Sequence, residues 1–288
     1  MSAELSGSAV AAARRPRELL TPERRRAVRN ALVIAGIVTG IAAAWINYFR
    51  DALDAHAYYW ARAPFLYDDL PGTPMAYLYS PAFAQAIAPL QWLPESVFVI
   101  AWLAAILVGI AWLAGPRLLF LAVVVAWSDI QSANLHTFLA VAIVLGFRHP
   151  GAWAFVLLTK ITPGIGLLWF VRRREWRSLA VALGVTAAVA LVSFIADPQS
   201  WFGWIDLLRR SAGAPAVSLS GFTPLWLRLP IAAAIIWWGA GRNAKWTVPV
   251  ACMLALPVIW PASLAMLLAV IPLRGDLKLR PSWRSAFA

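Results

Sequence analysis

The chain has 288 residues, of which 61% are hydrophobic and 13% charged, and its mean hydropathy is +0.70. Apolar runs long enough to cross a bilayer recur along the whole sequence, which excludes a soluble globular domain and indicates an all-α polytopic membrane protein. The formal net charge of +12 does not by itself indicate nucleic-acid binding, because in a membrane protein the positions of the charges matter more than their sum. The single cysteine, Cys252, excludes an intrachain disulfide, and the His and Cys spacing predicts no metal site.

Basic residues are concentrated in three stretches, at 14–29, 172–177 and 274–284. The positive-inside rule assigns all three stretches to the cytoplasm. The sequence therefore predicts one transmembrane domain, residues 31–273, between two cytoplasmic basic tails, residues 1–30 and 274–288. The segments left for the outside are three loops at about 49–94, 128–134 and 197–228.

The first span is predicted over residues 31–48, and its Gly36 and Gly40 have a spacing typical of helices that pack closely within a membrane chain. Prolines recur through the external loop that follows. Because proline breaks long helices, this loop is predicted to form short interfacial helices that lie on the membrane. Residues 96–114 then cross inward, and residues 118–127 return outward as a short span.

Residues 151–171 look like one span, but basic residues flank them on both sides, so the two ends belong on the same side. Pro163 and Gly164 lie in the middle of this run. Two half-helices that enter the membrane and return fit both observations, and such broken helices are tolerated where they are buried or line a cavity. Lys160 then lies near the break.

The rest of the chain supplies further spans. Residues 135–147 precede the broken segment, residues 179–196 cross outward, and residues 230–241 return. Residues 246–260 and 262–273 form a last hairpin. In total, about nine or ten transmembrane segments are predicted, several of them short or broken.

Lys160 is the most informative residue of the chain, because an ammonium group inside an apolar run costs a few kcal/mol unless a polar or anionic group receives it. Two interpretations compete. The side chain can extend from a helix end toward the interface, or it can bind an anion that arrives with a substrate.

Polar residues from three predicted segments meet at the outer end of the transmembrane domain. The first loop contributes Asp54, His56, Tyr58 and Tyr79, the second turn contributes Asp129, Gln131 and Asn134, and the helix break contributes Lys160. A carboxylate can take a proton from an acceptor hydroxyl, and a cation can stabilise charge on a departing phosphate. This combination suggests group transfer from an anionic, lipid-linked donor.

Four motifs resemble one known family. Asp54-Ala-His-Ala-Tyr58 is similar to an Asp-x-x-x-Tyr pattern, Tyr77-Leu-Tyr79-Ser-Pro81 to an aromatic-x-Tyr-Pro-Pro segment, Gln131-Ser-Ala-Asn134 to a Gly-Gln-x-Asn turn, and Lys160-Ile-Thr-Pro163 to a Lys-x-x-Pro helix break. Together, over residues 31–210, they resemble the polyprenol-phosphate-mannose-dependent mannosyltransferases of the GT-C type, glycosyltransferase family 87. The chain departs from that pattern at Ser80 and Ile130, and it is shorter than is usual for the family.

The resemblance implies a GT-C fold and an inverting, single-displacement transfer of mannose from a polyprenyl-phosphate donor to an extracytoplasmic glycolipid or glycan, with no cofactor and no required metal. Asp54 matches the catalytic base of the family. Lys160, Tyr79, Gln131 and Asn134 are expected to bind the donor phosphate or lipid, and His56, Tyr58 and Asp129 to contact substrate. The implied partners are the donor, the acceptor and membrane lipid, without nucleic acid. The implied location is a bacterial plasma membrane, with both termini cytoplasmic and the site outside.

Other interpretations remain open. A lipid or small-molecule transporter would also have broken helices and intramembrane charge, and a noncatalytic membrane subunit is compatible with the short C-terminal part. Glucose, galactose or arabinose donors fit the same chemistry as mannose. Asp51 is the rival base, Asp129 fits a helix cap, His56 fits a structural hydrogen bond, and Asp68 with Asp69 fits either half of a metal site or a turn before Pro71.

Overall fold

The computed structural model describes residues 22–48, 52–64, 66–69, 73, 75–211 and 223–274. Within this part of the chain the protein is helical and contains no strand. The α-helices are α1 Pro22–Tyr48, α2 Leu53–Trp60, α3 Pro81–Ile87, α4 Glu95–Val125, α5 Trp127–Ser132, α6 His136–Gly146, α7 Trp153–Thr159, α8 Leu168–Arg173, α9 Trp176–Ala196, α10 Pro198–Ser211, α11 Leu225–Gly241, α12 Thr247–Leu254 and α13 Val270–Leu273. Short 3₁₀ segments cover Ala88–Trp92, Pro150–Ala152, Thr162–Leu167 and Pro261–Ala269.

Three helices in the described part are long and apolar enough to cross a membrane: Glu23–Tyr48, Glu95–Val125 and Trp176–Ala196. Shorter apolar helices accompany them, as expected for a polytopic protein with broken segments. The predicted all-α membrane fold is therefore confirmed. Helix α1 begins at Pro22, so it includes the basic residues 24–26 and 29, which were predicted to belong to the cytoplasmic tail. The rest of the two predicted tails, residues 1–21 and 275–288, lies outside the described residues.

Helix α4 is a hairpin of two arms. Gly115 has φ 64° and ψ 175°, a conformation that glycine adopts without a Cβ clash, and Pro116 follows it. A Cβ built on Gly40 of α1 would lie 3.3 Å from Leu107 Cδ2 and 3.6 Å from Val123 Cγ2. Because a straight helix would separate those two residues by roughly 24 Å, the chain must reverse at Gly115. This agrees with the two predicted spans, 96–114 and 118–127.

Helices α7 and α8, with the 3₁₀ segment between them, also double back. A Cβ on Gly164 would lie 2.3 Å from Leu157 Cδ2, and a Cβ on Gly166 would lie 2.3 Å from Trp153 Cη2. Because these glycines have no side chain, the returning segment packs directly on the entering helix α7. Lys160 lies at the tip of this reversal, where α7 has ended at Thr159.

Helix α6 is at the centre of the bundle. Leu139, Ala140 and Ile143 are fully buried, and the helix packs against α4, α7 and the segment Pro261–Ala269. By contrast, α9 presents most of its apolar side chains outward, as a helix in contact with lipid does. The two ends of α6 define the two ends of the bundle, and the predicted site residues gather at the end where α6 begins.

Basic side chains pack on aromatic rings where α6 ends. Lys245 Nζ lies 5.3 Å from the centre of the Phe147 ring, which follows the last residue of α6. Four more such pairs lie at this end of the bundle: Arg172 with Trp237, Arg173 with Trp169, Arg242 with Trp238, and Arg274 with Trp246. Arginine and tryptophan in such pairs are typical of a membrane–water interface.

Candidate functional site

Asp54 lies in the first turn of the short helix α2 and is half-buried. The helix starts after Ala52, whose backbone is in the left-handed region at φ 31° and whose N–H donates to the Gln131 carbonyl at 3.2 Å. The Asn134 side chain donates to Asp54 Oδ2 at 2.6 Å. The turn that contains Gln131 and Asn134 therefore fixes both the start of α2 and the orientation of its carboxylate.

Burial raises the pKa of the Asp54 carboxyl above its ordinary value. The hydrogen bond from Asn134 and the positive charge of Lys160 act in the opposite direction and lower the pKa, while the negative charge of Asp129 raises it. Because burial is the larger effect, the Asp54 carboxylate is more basic than an exposed aspartate. A higher pKa makes a carboxylate a better general base.

Asp129 caps helix α6 from the preceding short helix α5 and is fully buried. Its Oδ2 accepts from the Thr137 N–H at 2.9 Å and from the Thr137 hydroxyl at 2.6 Å. Its Oδ1 accepts from the His136 N–H at 3.3 Å and from His136 Nδ1 at 3.2 Å. A carboxylate at a helix N-terminus satisfies free N–H groups and interacts favourably with the helix dipole. Asp129 thus makes the helix cap that the alternative interpretation expected, and both of its oxygens accept hydrogen bonds from the first two residues of α6.

His136 connects this cap to Lys160. Because Nδ1 donates its proton to Asp129, Nε2 carries the lone pair and accepts hydrogen bonds. Lys160 Nζ lies 3.2 Å from His136 Nε2, and the Ser263 hydroxyl lies 3.3 Å from the same atom. The lysine side chain is therefore held at this spot by a fully buried imidazole.

Aromatic hydroxyl groups form the other wall of the site. Tyr58, on the same face of α2 as Asp54, is fully buried, and its hydroxyl is hydrogen-bonded to the Tyr79 hydroxyl at 3.1 Å. Lys160 Nζ lies 5.7 Å from the centre of the Tyr79 ring. A cation at this distance from an aromatic face is attracted to it, so Tyr79 joins the lysine to the residues of α2.

The tip that carries Lys160 is also tied to the segment of Tyr79. The backbone N–H of Ser80 donates to the Leu158 carbonyl at 3.4 Å, and the Ser80 hydroxyl donates to the same oxygen. Leu158 belongs to the last turn of α7, where carbonyl groups lack intrahelical partners. Ser80 supplies those partners, and the side chains of Tyr79 and Lys160 are held side by side.

The structure brings together five of the predicted site residues: Asp54, Tyr58, Tyr79, Asn134 and Lys160. Each of the three predicted segments contributes to this group. We call it the acid–lysine cluster.

Three other predicted residues lie elsewhere or act differently. His56 points away from the acid–lysine cluster and pairs with Glu95 at 2.7 Å, so the substrate contact expected for it is not supported by its position, whereas the structural hydrogen bond is. Gln131 contributes its backbone carbonyl to Ala52, and its side chain is exposed. Asp129 lies beneath the cluster as the cap of α6. Asp51, the rival base, lies outside the described residues.

Sequence reasoning missed His136 and Ser263. His136 is the second residue of the apolar run 135–147, and one polar residue at the edge of a span gives a weak signal. Ser263 lies more than 120 residues further along the chain, as its hydrogen bond to His136 spans 127 positions. Only the packing of Pro261–Ala269 against α6 brings it to the site.

A polytopic, all-helical membrane protein whose acid and cation meet at one end of the bundle fits a membrane transferase and also fits a transporter. Residues 77–286 match the family model described as Glycosyltransferase family 87. Because the match covers well over half of the chain, the protein belongs to glycosyltransferase family 87 and is a membrane glycosyltransferase. Neither the curated proteins nor the solved structures gave a significant match to the chain.

The matched region begins after α2. Tyr79, Asn134 and Lys160 therefore lie inside it, whereas Asp54 and Tyr58 precede it. The hydrogen bonds from Asn134 to Asp54 and between Tyr79 and Tyr58 join the two parts of the site.

Proposed function

We propose that this protein transfers a sugar, with mannose the first candidate, from a polyprenyl-phosphate donor to the hydroxyl group of an extracytoplasmic glycolipid or glycan. The observation that carries the proposal is that Asp54 and Lys160, from segments more than 100 positions apart, lie within electrostatic reach of each other at one end of the bundle. A sugar transfer from a phosphate needs a base that takes the proton of the acceptor hydroxyl and a cation that stabilises the negative charge on the leaving phosphate, and this site contains both.

The proposed step is a single displacement. The acceptor oxygen attacks C1 of the donor sugar, and Asp54 takes the proton of that hydroxyl. The bond between C1 and the phosphate oxygen breaks, and the polyprenyl phosphate leaves with the electron pair. Lys160 stabilises the negative charge that grows on the leaving oxygen. Because attack and departure occur on opposite faces of C1, the configuration of the sugar is inverted.

His136 is proposed as a positioning residue for Lys160. With Nδ1 bound to Asp129, its Nε2 accepts one N–H of the lysine and leaves the other N–H bonds for an incoming phosphate. A lysine that is held before substrate binds loses less conformational entropy in the reaction than a freely rotating one. The Ser263 hydroxyl, from a segment 127 positions further along the chain, lies within hydrogen-bond distance of the same imidazole nitrogen.

The orientation in a bacterial plasma membrane follows from charge. Five basic residues that pack on aromatic rings, Arg172, Arg173, Arg242, Lys245 and Arg274, lie at the end of the bundle opposite the acid–lysine cluster. The positive-inside rule assigns such a concentration of basic residues to the cytoplasm. The site then faces outward. Nucleotide sugars stay in the cytoplasm, so an outward-facing transferase needs a donor that a lipid carries across the membrane.

The test uses purified protein in liposomes, with radiolabelled polyprenyl-phosphate-mannose and a bacterial glycolipid extract as acceptor. We expect labelled glycolipid and free polyprenyl phosphate in equal amounts, and no product from nucleotide-mannose. Parallel reactions with glucose, galactose and arabinose donors identify the sugar. Movement of label across the bilayer without a covalent product would instead assign the protein to the transporters and overturn the proposal.

A further inference from the structure

A recess lies beside the acid–lysine cluster, between the first loop and helix α10. It has a volume of about 470 Å³, which is within the usual range for small-molecule sites. It is lined by Ala63, Pro64, Tyr67, Asp68, Asp197, Gln199, Ser200, Gly203 and Arg210. We call it the α10 recess. None of the residues that line it belongs to the acid–lysine cluster.

The start and the end of α10 form one wall of the α10 recess. Asp197 precedes the helix and accepts from the Ser200 N–H at 3.1 Å and from the Ser200 hydroxyl at 2.5 Å, which fixes the first turn. Arg210 is held near the other end by Asp206 at 3.2 Å, and it also donates to the Tyr67 carbonyl at 3.4 Å. Its side chain is 41% exposed, so the guanidinium remains accessible to a ligand.

Side chains beside the α10 recess are hydrogen-bonded to the backbone segment that carries Tyr79 of the acid–lysine cluster. The Tyr67 hydroxyl donates to the Tyr79 carbonyl at 2.7 Å. The Trp204 indole N–H of α10 donates to the Leu78 carbonyl at 3.4 Å. The segment that carries the Tyr79 ring beside Lys160 thus also supports the recess, so a ligand that is bound in the recess lies at the same end of the bundle as the proposed base.

The chemistry of the lining favours a neutral ligand with many hydroxyl groups. Asp68 and Asp197 can accept from the O–H of a ligand hydroxyl group, and Arg210 and Gln199 can donate to its oxygen. Two carboxylates outnumber one guanidinium, which disfavours an anion such as a phosphate. The Tyr67 ring and Pro64 offer the apolar surface that the C–H face of a sugar requires.

We propose that the α10 recess binds the saccharide headgroup of the acceptor. This inference rests on the proposed transferase function for its biological meaning, but saccharide binding can be measured without transfer. The acceptor would then lie along α10, with its reactive hydroxyl directed past the Tyr79 segment toward Asp54.

The binding test uses a cysteine at the recess. Native Cys252 is fully buried, so Gln199→Cys provides one accessible thiol for maleimide labelling. The probes are the methyl glycosides and disaccharides of mannose, glucose and galactose. At a concentration of about twice Kd, a bound saccharide leaves one third of the recess empty, and labelling becomes about threefold slower. Arg209→Cys, an exposed neighbour on α10 that does not line the recess, serves as the control.

Protection at position 199 that disappears when Arg210→Ala is added supports the proposal. No protection by any of the saccharides, or equal protection at position 209, overturns it. The labelling measurement does not depend on sugar transfer. A failure of the saccharide-binding proposal can therefore be distinguished from a failure of the transferase proposal.

Kinetics give the second readout. Arg210→Ala is expected to raise the acceptor KM about tenfold, because one charged hydrogen bond is lost, while the donor KM and the slow hydrolysis of donor without acceptor stay unchanged. Arg209→Ala is the matched control and is expected to leave all three quantities unchanged. A rise in the donor KM with an unchanged acceptor KM would contradict the assignment.

Discussion

Lys160 and Lys245 offer a comparison within one chain, since each places its ammonium group near an aromatic ring. The distances to the ring centres are 5.7 Å for Lys160 over Tyr79 and 5.3 Å for Lys245 over Phe147. The two lysines lie at opposite ends of α6, because Lys160 contacts His136 at its start and Phe147 follows its last residue. An aromatic contact is therefore common to both ends of the bundle and does not by itself mark a site.

The surroundings of the two lysines differ. Lys245 belongs to a group of basic side chains on rings, which includes Arg242 over Trp238. Lys160 lies beside a hydrogen-bonded imidazole and within electrostatic reach of Asp54 and Asp129. A cation at an interface is stabilised by water and lipid headgroups, whereas a cation held beside an imidazole and two acids has its position fixed by protein. We expect that difference to mark where chemistry occurs, and four sets of substitutions test it.

The largest effect is expected for Asp54→Asn. The amide keeps the shape and one acceptor but cannot take a proton, so kcat for transfer should fall by about 10³-fold, within the usual range for a general base. The measurement is the initial rate of labelled glycolipid formation in liposomes. Glu175→Gln, which removes a carboxylate paired with Arg173 at the opposite end of the bundle, should leave the rate within about twofold because exposed ion pairs contribute little. Full transfer by Asp54→Asn would remove the base assignment.

Lys160→Ala and Lys245→Ala break the comparison directly. Loss of the charge at the leaving phosphate should lower kcat/KM for the donor by about 10²-fold, the effect of removing one electrostatic donor from an active site. Lys245→Ala should change it by less than about twofold, because it removes only a cation–π contact between half-buried side chains at the opposite end of the bundle. Donor titrations with both variants measure the difference. Equal losses in the two variants would mean that Lys160 is an ordinary interfacial lysine.

His136→Gln and His136→Asn separate positioning of Lys160 from structural support. Gln can place an acceptor near the original Nε2, whereas Asn can reach only toward Asp129. We expect His136→Asn to lower donor kcat/KM about tenfold more than His136→Gln, the usual worth of a charged hydrogen bond. Melting temperatures of both variants are measured in the same detergent. If activity follows melting temperature and not the presence of the acceptor, His136 has a structural role only.

The smallest effect is expected for Asn134→Ala, which should change the pH dependence of kcat/KM. The Asn134 hydrogen bond stabilises the ionised form of Asp54 and lowers its pKa, so its loss raises the pKa further above the ordinary value. Because the base must be ionised, the acid limb of the profile of kcat/KM against pH should move to higher pH. A limb that stays in place, or moves to lower pH, would show that the limb belongs to another group.

Local sequence signals predicted the reversals of the chain well. Pro163 and Gly164, between basic flanks, indicated that Lys160 lies at a break, and α7 does end at Thr159. The division of residues 96–127 into two spans agrees with the reversal at Gly115. Such reversals depend on proline, glycine and flanking charge, which are visible in a short window of sequence.

The side-chain contacts of the site could be predicted only in part. Sequence placed Asp54, Asn134 and Lys160 at one end of the domain, but it could not assign partners. It left Asp129 and His56 open between substrate contact and a structural role, and in the structure Asp129 caps α6 and His56 pairs with Glu95. It also missed His136, since the contact with Lys160 depends on how α6 and α7 pack and not on spacing. Tertiary packing decides which polar groups meet, and no local pattern records it.

Ser80 has a consequence for how this chain can vary. It replaces a proline in the pattern that the chain resembles, and its N–H and hydroxyl both donate to the Leu158 carbonyl. A proline at that position would have neither group, and membrane lipid supplies no hydrogen-bond donor in place of them. Position 80 is therefore expected to coevolve with the end of α7: a homologue with proline at this position must satisfy that carbonyl from a different neighbour or end the helix at a different residue.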